Sequence, residues 1–224
     1  MKLKDMNIGF IPDTLKNNPE VSEFIKKWHY SSSIPRGCRY IFTLNYKNKV
    51  IGVAMFGIPV GMHCQNYSLF DGQILELKRV CLIDKTPKNS ESYFISRALK
   101  WFQNDTNIEA ILSYADPEYG HKGIIYRATN FNYIGRQKDI QKKIMFSGKS
   151  FHIRAAYQRN TEMSDWLMGA LEHGFASLVK IKPKHIYIYR FKRTKALFYN
   201  EEQNELYIDF KPKNEIDSLI SRSI

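Results

Sequence analysis

Between Gln73 and Tyr114 the hydrophobic period changes twice, and this restricts the fold more than any other feature of the chain. "QILELKRVCLID" repeats every two residues, with Ile74, Glu76, Lys78 and Val80 alternating against Leu75, Leu77, Arg79 and Cys81, as a strand does. "PKNSESYFISRALKWF" switches to a helical period, capped by Asn89 or Ser90 and burying Ile95, Ala98, Leu99 and Phe102. The apolar run from Ile108 to Tyr114 then reads as a central strand. Strand, helix, strand implies a crossover, so the expected class is α/β (α+β), a mixed sheet with flanking helices.

The flanks agree. "NNPEVSEFIKKWHY" predicts a helix with Asn18 as cap, Pro19 at its first position and Val21, Phe24, Ile25 and Trp28 on one face. "RYIFTLNYKNKVIGVAMFGIP" predicts a hairpin about Lys47-Asn48-Lys49, and "KKIMFSGKSFHIRAAY" another about Ser147-Gly148. Asp116-Pro117 leads towards a helix ending near Asn130, and "TEMSDWLMGALEHG" is an amphipathic helix closed by Gly174. "KHIYIYRF" is a further strand and "ALFYNEEQNELYIDF" a last hairpin. Residues 1–199 are expected to form one domain, with 200–224 an acidic C-terminal hairpin or tail.

At 43% hydrophobic and 14% aromatic, the chain has ample material for a core, which excludes a disordered protein. No apolar stretch approaches the roughly 18 residues of a membrane span. The start, "MKLKDMNIGFIPDTL", lacks a secretory h-region, so a cytoplasmic location is expected. Three cysteines, Cys38, Cys64 and Cys81, form no CxxC pair, which argues against a disulfide framework or structural zinc. His63-Cys64 has no second pair.

Lys and Arg number 34 against 22 Asp and Glu. The last 25 residues hold six of the acids and only three of the bases, so the body is more basic than the whole. Such a surface suits a polyanion. Its bases cluster in "RQKDIQKK", "GKSFHIR", "KIKPKH" and "RFKRTK", interleaved with Phe151, His152, Tyr157, Tyr187 and Tyr189. Charge for phosphates and rings for unstacked bases are what nucleic-acid surfaces use. Lys149, His152, Arg154, Lys184 and His185 are the candidate DNA contacts.

The densest chemistry is "SYADPEYGHKGIIYRATNF", Ser113 to Phe131. Ligands in open sheets bind beyond the carboxyl ends of strands, and Asp116 stands at such an end. Asp116 can cap the turn that Pro117 starts, or beside His121, Tyr114 and Tyr126 it can act as a base or ligate a metal. His29 can stabilise a helix terminus, or with Tyr30 meet this cluster. The start of the "NSESYFISRAL" helix, with Lys88, Asn89, Ser90 and Ser92, fits either ordinary capping or a phosphate.

These segments together resemble the Mom family of bacteriophage DNA-modification proteins. The matching motifs are "HYS" (residues 29–31), "GVAMFGIP" (52–59), "ELKRV" (76–80), "NSESYFISRAL" (89–99), the 113–131 segment, "GKSFHIR" and "PKHIYIY". They keep one order over residues 29–190. The resemblance implies a GNAT-like acyltransferase fold with an added basic hairpin. It further implies addition of an acetamido (carbamoylmethyl) group to adenine N6 in duplex DNA, which protects phage DNA from host restriction. An acyl-coenzyme A donor such as acetyl-CoA, iron, and a flipped adenine in double-stranded DNA are its implied partners. By motif position His29, Tyr30, Asp116 and Tyr126 are the implied catalytic residues, with His29, Asp116 and Tyr126 supplying ligands to a metal. The oligomeric state is left open, a homodimer among the possibilities.

One departure stands out. GNAT enzymes cradle pyrophosphate in a glycine-rich loop, and here that position reads "IDKTPKNSES", with no glycine. Lys85, Lys88 and the serine hydroxyls would have to replace part of that amide nest. The rival expectation is a conventional acetyl-CoA-dependent N-acetyltransferase acting on a small amine or a protein.

Overall fold

The computed structural model describes residues 1–11, 18–30, 32, 34–59, 64, 67–68, 73–103, 108–137, 142–157, 161–191, 199–200 and 205–206. The side chains of Arg154, Tyr199, Asn200, Glu205 and Leu206 are excepted. His63 and most of the acidic tail lie outside the described residues; of the tail hairpin, Tyr199–Asn200 pairs with Glu205–Leu206. The chain forms two compact units. One comprises residues 1–114, 123–134 and 186–224, the other 115–122 and 135–185.

The first unit is built on a seven-stranded sheet. Its strands are β1 (Asn7–Ile11), β2 (Cys38–Tyr46), β3 (Lys49–Gly57), β4 (Gln73–Leu82), β5 (Ile108–Ala115), β6 (Asn132–Arg136) and β10 (His185–Arg190). They lie in the order β1-β2-β3-β4-β5-β10-β6. The β2–β3 hairpin turns over Lys47 and Asn48, both at positive φ, as a two-residue loop requires. Helix α1 (Pro19–Trp28) lays Val21 and Ile25 against Ile41, Val53, Met55 and Cys81. Helix α2 (Ser90–Phe102) supplies the crossover between β4 and β5, which are parallel. Its Phe102 meets Phe42 and Phe56 edge-on at 5.4 and 4.9 Å between ring centroids, the geometry that ring quadrupoles favour.

Strand β4 is irregular on both of its edges. The parallel ladder with β5 stops at the pair Glu76–Leu112, although β4 runs on to Leu82 and β5 to Ala115. Beyond that rung Ser113 Oγ donates to the Leu77 carbonyl at 3.3 Å. On the other side, Arg79 faces Met55 and Leu77 faces Phe56, so Lys78 has no opposite residue in β3. It is the extra residue of a β-bulge, a device that re-aims a side chain.

The second unit is a three-stranded antiparallel sheet with one helix. The Ser147-Gly148 hairpin of β7 (Lys142–Phe146) and β8 (Lys149–His152) is joined by β9 (Ala176–Lys180) in the order β8-β7-β9. Helix α4 (Glu162–Glu172) buries Leu167 and Ala170 against Ile144, Ala156 and Ala176. Thr161 caps it, accepting the Ser164 N–H at 3.2 Å. Gly174 beyond its end has φ +76°.

The helix expected to end near Asn130 is a single turn, α3 (Ile124–Arg127). Gly120 and Gly123 at φ +73° and +68° precede it and Asn130 at +61° comes after it, so left-handed residues bound it on both sides. Strands β1, β6 and β9 are not signalled by alternation. In β9 only Ala176 is buried, which leaves no two-residue pattern to read.

Candidate active site

In the first unit three elements converge on the place where β4 and β5 part. From β5 comes the buried Ser113. From α3 comes Tyr126, itself buried, whose hydroxyl shares a hydrogen bond with the Ser113 side chain. From β4 come Glu76 and the bulged Lys78, whose Nζ lies 3.7 Å from Glu76 Oε2. Burial pushes the Tyr126 phenol up to about 12, the Ser113 hydrogen bond opposes this, and charges at Tyr30, Glu76 and Tyr187 reinforce it. Tyr126 is thus a neutral hydrogen-bond donor at physiological pH, not a phenolate.

That shift has a sign. The fold favours the protonated phenol over its ordinary value of 10.0. The stabilisation is complete below pH 10 and is lost as pH rises through about 12. Tyr126→Phe should therefore move the midpoint of alkaline unfolding to higher pH, measured by circular dichroism in a pH titration.

The backbone that positions Tyr126 depends on Gly123. Its carbonyl accepts the Tyr126 N–H at 3.1 Å. At φ +68°, a Cβ on Gly123 would overlap the Tyr187 ring. Gly123→Ala should cost roughly 2–4 kcal/mol, combining the left-handed penalty with overpacking, as urea unfolding would show. Tyr187 in turn packs on Tyr126, with ring centroids 5.3 Å apart.

His29 caps the end of α1, its N–H donating to the Ile25 carbonyl at 3.0 Å. Its ring is buried and lies 4.3 Å from that of Tyr30, which is 51% exposed. Close to Glu76 and Lys78 are also Cys64 and Tyr114, joined by a 3.4 Å hydrogen bond; burial raises both pKa values. Local sequence pattern does not mark Ser113, Glu76 or Lys78 as site residues. The one signal at Lys78 is a charged residue in a largely apolar strand.

Asp116 belongs to the second unit. Its Oδ1 accepts the Glu118 N–H at 3.0 Å, so it does cap the turn. Its Oδ2 lies 3.1 Å from Lys184 Nζ. A candidate base and a candidate DNA contact therefore form one ion pair. Glu118 ties the same loop to the unit's strands, accepting the Lys182 N–H at 3.2 Å and pairing with Lys143 at 3.3 Å. Those contacts hold its carboxyl below the usual range, the Lys182 N–H first. His121 is exposed on this loop.

The remaining DNA candidates also fall in the second unit. Lys149 and His152 are exposed on β8, and Lys184 and His185 are half-buried. Arg154 sits in the turn Ile153–Ala155, its side chain outside the described residues. The unit carries eleven Lys and Arg against six Asp and Glu, and four of the six histidines.

At the start of α2, Asn89 takes φ +68°, supplying the left-handed residue that glycine would otherwise provide. Ser90 Oγ donates to the Pro87 carbonyl at 2.7 Å and Ser92 Oγ to the Asn89 carbonyl at 3.0 Å. Both hydroxyl protons are engaged, so a phosphate here would be met by first-turn N–H groups and the exposed Lys85 and Lys88. The helix start carries no side-chain cap, which fits the pyrophosphate of a coenzyme A. The iron implied by the resemblance does not fit in the same way. Among the described residues no group of three or more His, Cys, Asp or Glu could hold a metal ion.

The family model of the Mom protein family matches residues 16–206. The chain belongs to the Mom protein family. A curated relative, "Methylcarbamoylase mom" of Escherichia phage Mu, is 44% identical over 62 residues, 27% of this chain and 26% of that protein. The match therefore spans about a quarter of that relative. Among solved structures, Arabidopsis thaliana NAA60 with a bisubstrate analogue superposes with TM-score 0.50 at 8% identity, covering 83% of this chain and 99% of that one. Aminoglycoside acetyltransferase AAC(6')-Ib with coenzyme A gives 0.50 at 8%, covering 87% and 100%. The fold is that of the GNAT acetyltransferases, as the sequence resemblance implied. No helix among the described residues is long and apolar enough to cross a membrane.

Proposed function

We propose that this Mom-family protein is a DNA-modifying transferase that adds a carbamoylmethyl (acetamido) group to adenine N6 in phage DNA, shielding it from host restriction. The observation that carries this reading is the family match over residues 16–206, which takes in six of the seven strands of the large sheet, Tyr126 and the basic second unit. The name of the Mu relative points to the same group.

The residues divide the work. Lys149, His152, Arg154 and His185 meet phosphates. Lys184 does so in competition with Asp116, which couples phosphate binding to the freeing of a carboxylate. Adenine N6 lies inside the duplex stack, so the base is flipped, at a cost of a few kcal/mol, and stacks on an exposed ring such as Tyr30. N6 is a weak nucleophile and must lose a proton as its new N–C bond forms. In the first unit Glu76 is the candidate acceptor, and Tyr126 donates a hydrogen bond to developing charge. An acyl-coenzyme A, a relative of the coenzyme A in the AAC(6')-Ib complex, would be held at the start of α2 by Lys85, Lys88 and the first-turn N–H groups.

The rival is a conventional N-acetyltransferase whose basic surface serves only coenzyme A. Salt separates the two. With up to five phosphate contacts, duplex affinity should fall by roughly 10²–10³-fold between 50 and 200 mM salt. Fluorescence anisotropy of a labelled duplex measures this, and affinity that is absent or insensitive to salt favours the rival.

A further inference from the structure

We propose that the groove between α4 and the Ser147-Gly148 end of the β7–β8 hairpin holds an unstacked nucleobase of DNA: Trp166 and Phe175 stack on it, and Asp165 accepts its amino group. This rests on the reading that the second unit, which contains the whole groove, meets DNA. The groove encloses about 470 Å³, within the range of small-ligand sites. Trp166 is 48% exposed and Phe175 75%. Both line this one concavity, unlike the apolar residues scattered singly over ordinary surfaces. Phe146 and Phe151 meet the indole at 78°, with ring centroids 4.3 and 6.2 Å away, which fixes it in one orientation.

Gly169 is a second, independent sign of an occupant. It lies inside α4 and on the groove wall. Its φ is not positive, and a Cβ there would meet no neighbouring group within 4 Å. Neither conformation nor packing asks for glycine, which costs a helix stability relative to alanine. The missing Cβ deepens the groove beside Trp166, and a flat ring is the shape that uses such depth.

The polar groups select the ligand. Asp165, also on the wall, only accepts hydrogen bonds when ionised. It repels a phosphate and favours a ring with an exocyclic amine, such as cytosine, over thymine. Cations stand outside. Lys149 is exposed and directly opposite Phe146 in the hairpin register, hence on the same face. The unit as a whole carries eleven Lys and Arg against six Asp and Glu. An aromatic slot with an acceptor inside and positive charge at its edge matches a nucleotide: base within, phosphate without. The groove contains neither Ser113 nor Tyr126, so its role is to bind and select a base.

Fluorescence anisotropy with end-labelled single strands of one length tests this, using dC, dT and abasic strands of equal charge. Wild-type protein should bind dC more tightly than the abasic strand. Trp166→Ala should weaken dC binding by roughly 5–150-fold and leave the abasic affinity unchanged. Gly169→Ala should raise the melting temperature, as alanine does in a helix, yet lower dC affinity towards the abasic level. Asp165→Ala should abolish the preference for dC over dT. Unchanged dC affinity in Gly169→Ala overturns the proposal even if Trp166→Ala does not fold, as does unchanged dC affinity in a folded Trp166→Ala. It is equally overturned if sedimentation shows Trp166→Ala splitting a dimer while strand affinities hold, which would make the groove an interface between copies. Duplex binding without these base-dependent differences removes the groove and keeps the DNA reading; no binding to strand or duplex removes both.

Discussion

Replacing Arg190 with methionine should lower the unfolding free energy by about 3–5 kcal/mol, the cost of stranding one member of a buried ion pair. Arg190 is almost wholly buried at the end of β10, 3.3 Å from Glu109 Oε1. It also donates to the Tyr67 carbonyl at 2.9 Å, and Ser68 donates to Glu109 Oε2 at 2.7 Å. Without the guanidinium, the Glu109 carboxylate in β5 loses its counter-charge, and a neutral hydroxyl such as that of Ser68 does not replace it. A domain stabilised by roughly 5–15 kcal/mol would lose a large share of its margin. Urea unfolding of the two proteins measures it. The double variant Arg190→Met/Glu109→Gln should recover much of the loss, because removing both charges removes the stranded one. Equal midpoints for wild type and Arg190→Met would show that this pair contributes nothing to stability.

Tyr126→Phe should separate activity from stability. The ring stays and keeps its packing on Phe131 and Tyr187, so the stability cost is that of one hydrogen bond, about 0.5–1.5 kcal/mol. The hydroxyl is what the site loses. With its phenol held at about 12, Tyr126 acts as a donor throughout the neutral range, and kcat should fall by roughly 10²–10⁴-fold. Single-turnover kinetics beside a thermal melt would show both effects. Equal kcat values would place Tyr126 in the core and out of the chemistry.

Much of the scaffold is legible in the sequence because local pattern decides it. Pro19 and the Val21, Phe24, Ile25, Trp28 stripe specify α1. The Asn48 turn specifies a hairpin, and Ile108–Leu112 a strand buried on both faces. Asp116-Pro117 is legible as a cap. What escapes depends on partners distant in sequence. Strict alternation places Glu76 and Lys78 on one face of an ordinary strand, and only the register with Met55 and Phe56 shows that Lys78 is a bulge. Glu109 and Arg190 are 81 residues apart, and neither signals the other locally. Lys184 reads as a phosphate contact because its neighbours are basic; its pairing with Asp116 arises from the folding of the second unit. The serines at α2 look like phosphate donors, yet each hydroxyl turns back to a carbonyl three residues earlier, as such side chains commonly do.

The central claim, modification of adenine in DNA, is tested most directly by mass spectrometry of nucleosides from a plasmid co-expressed with this protein. A deoxyadenosine species heavier by one carbamoylmethyl group, absent when Tyr126→Phe is expressed at the same level, is the predicted result. Only unmodified deoxyadenosine under full expression of folded wild-type protein would contradict it.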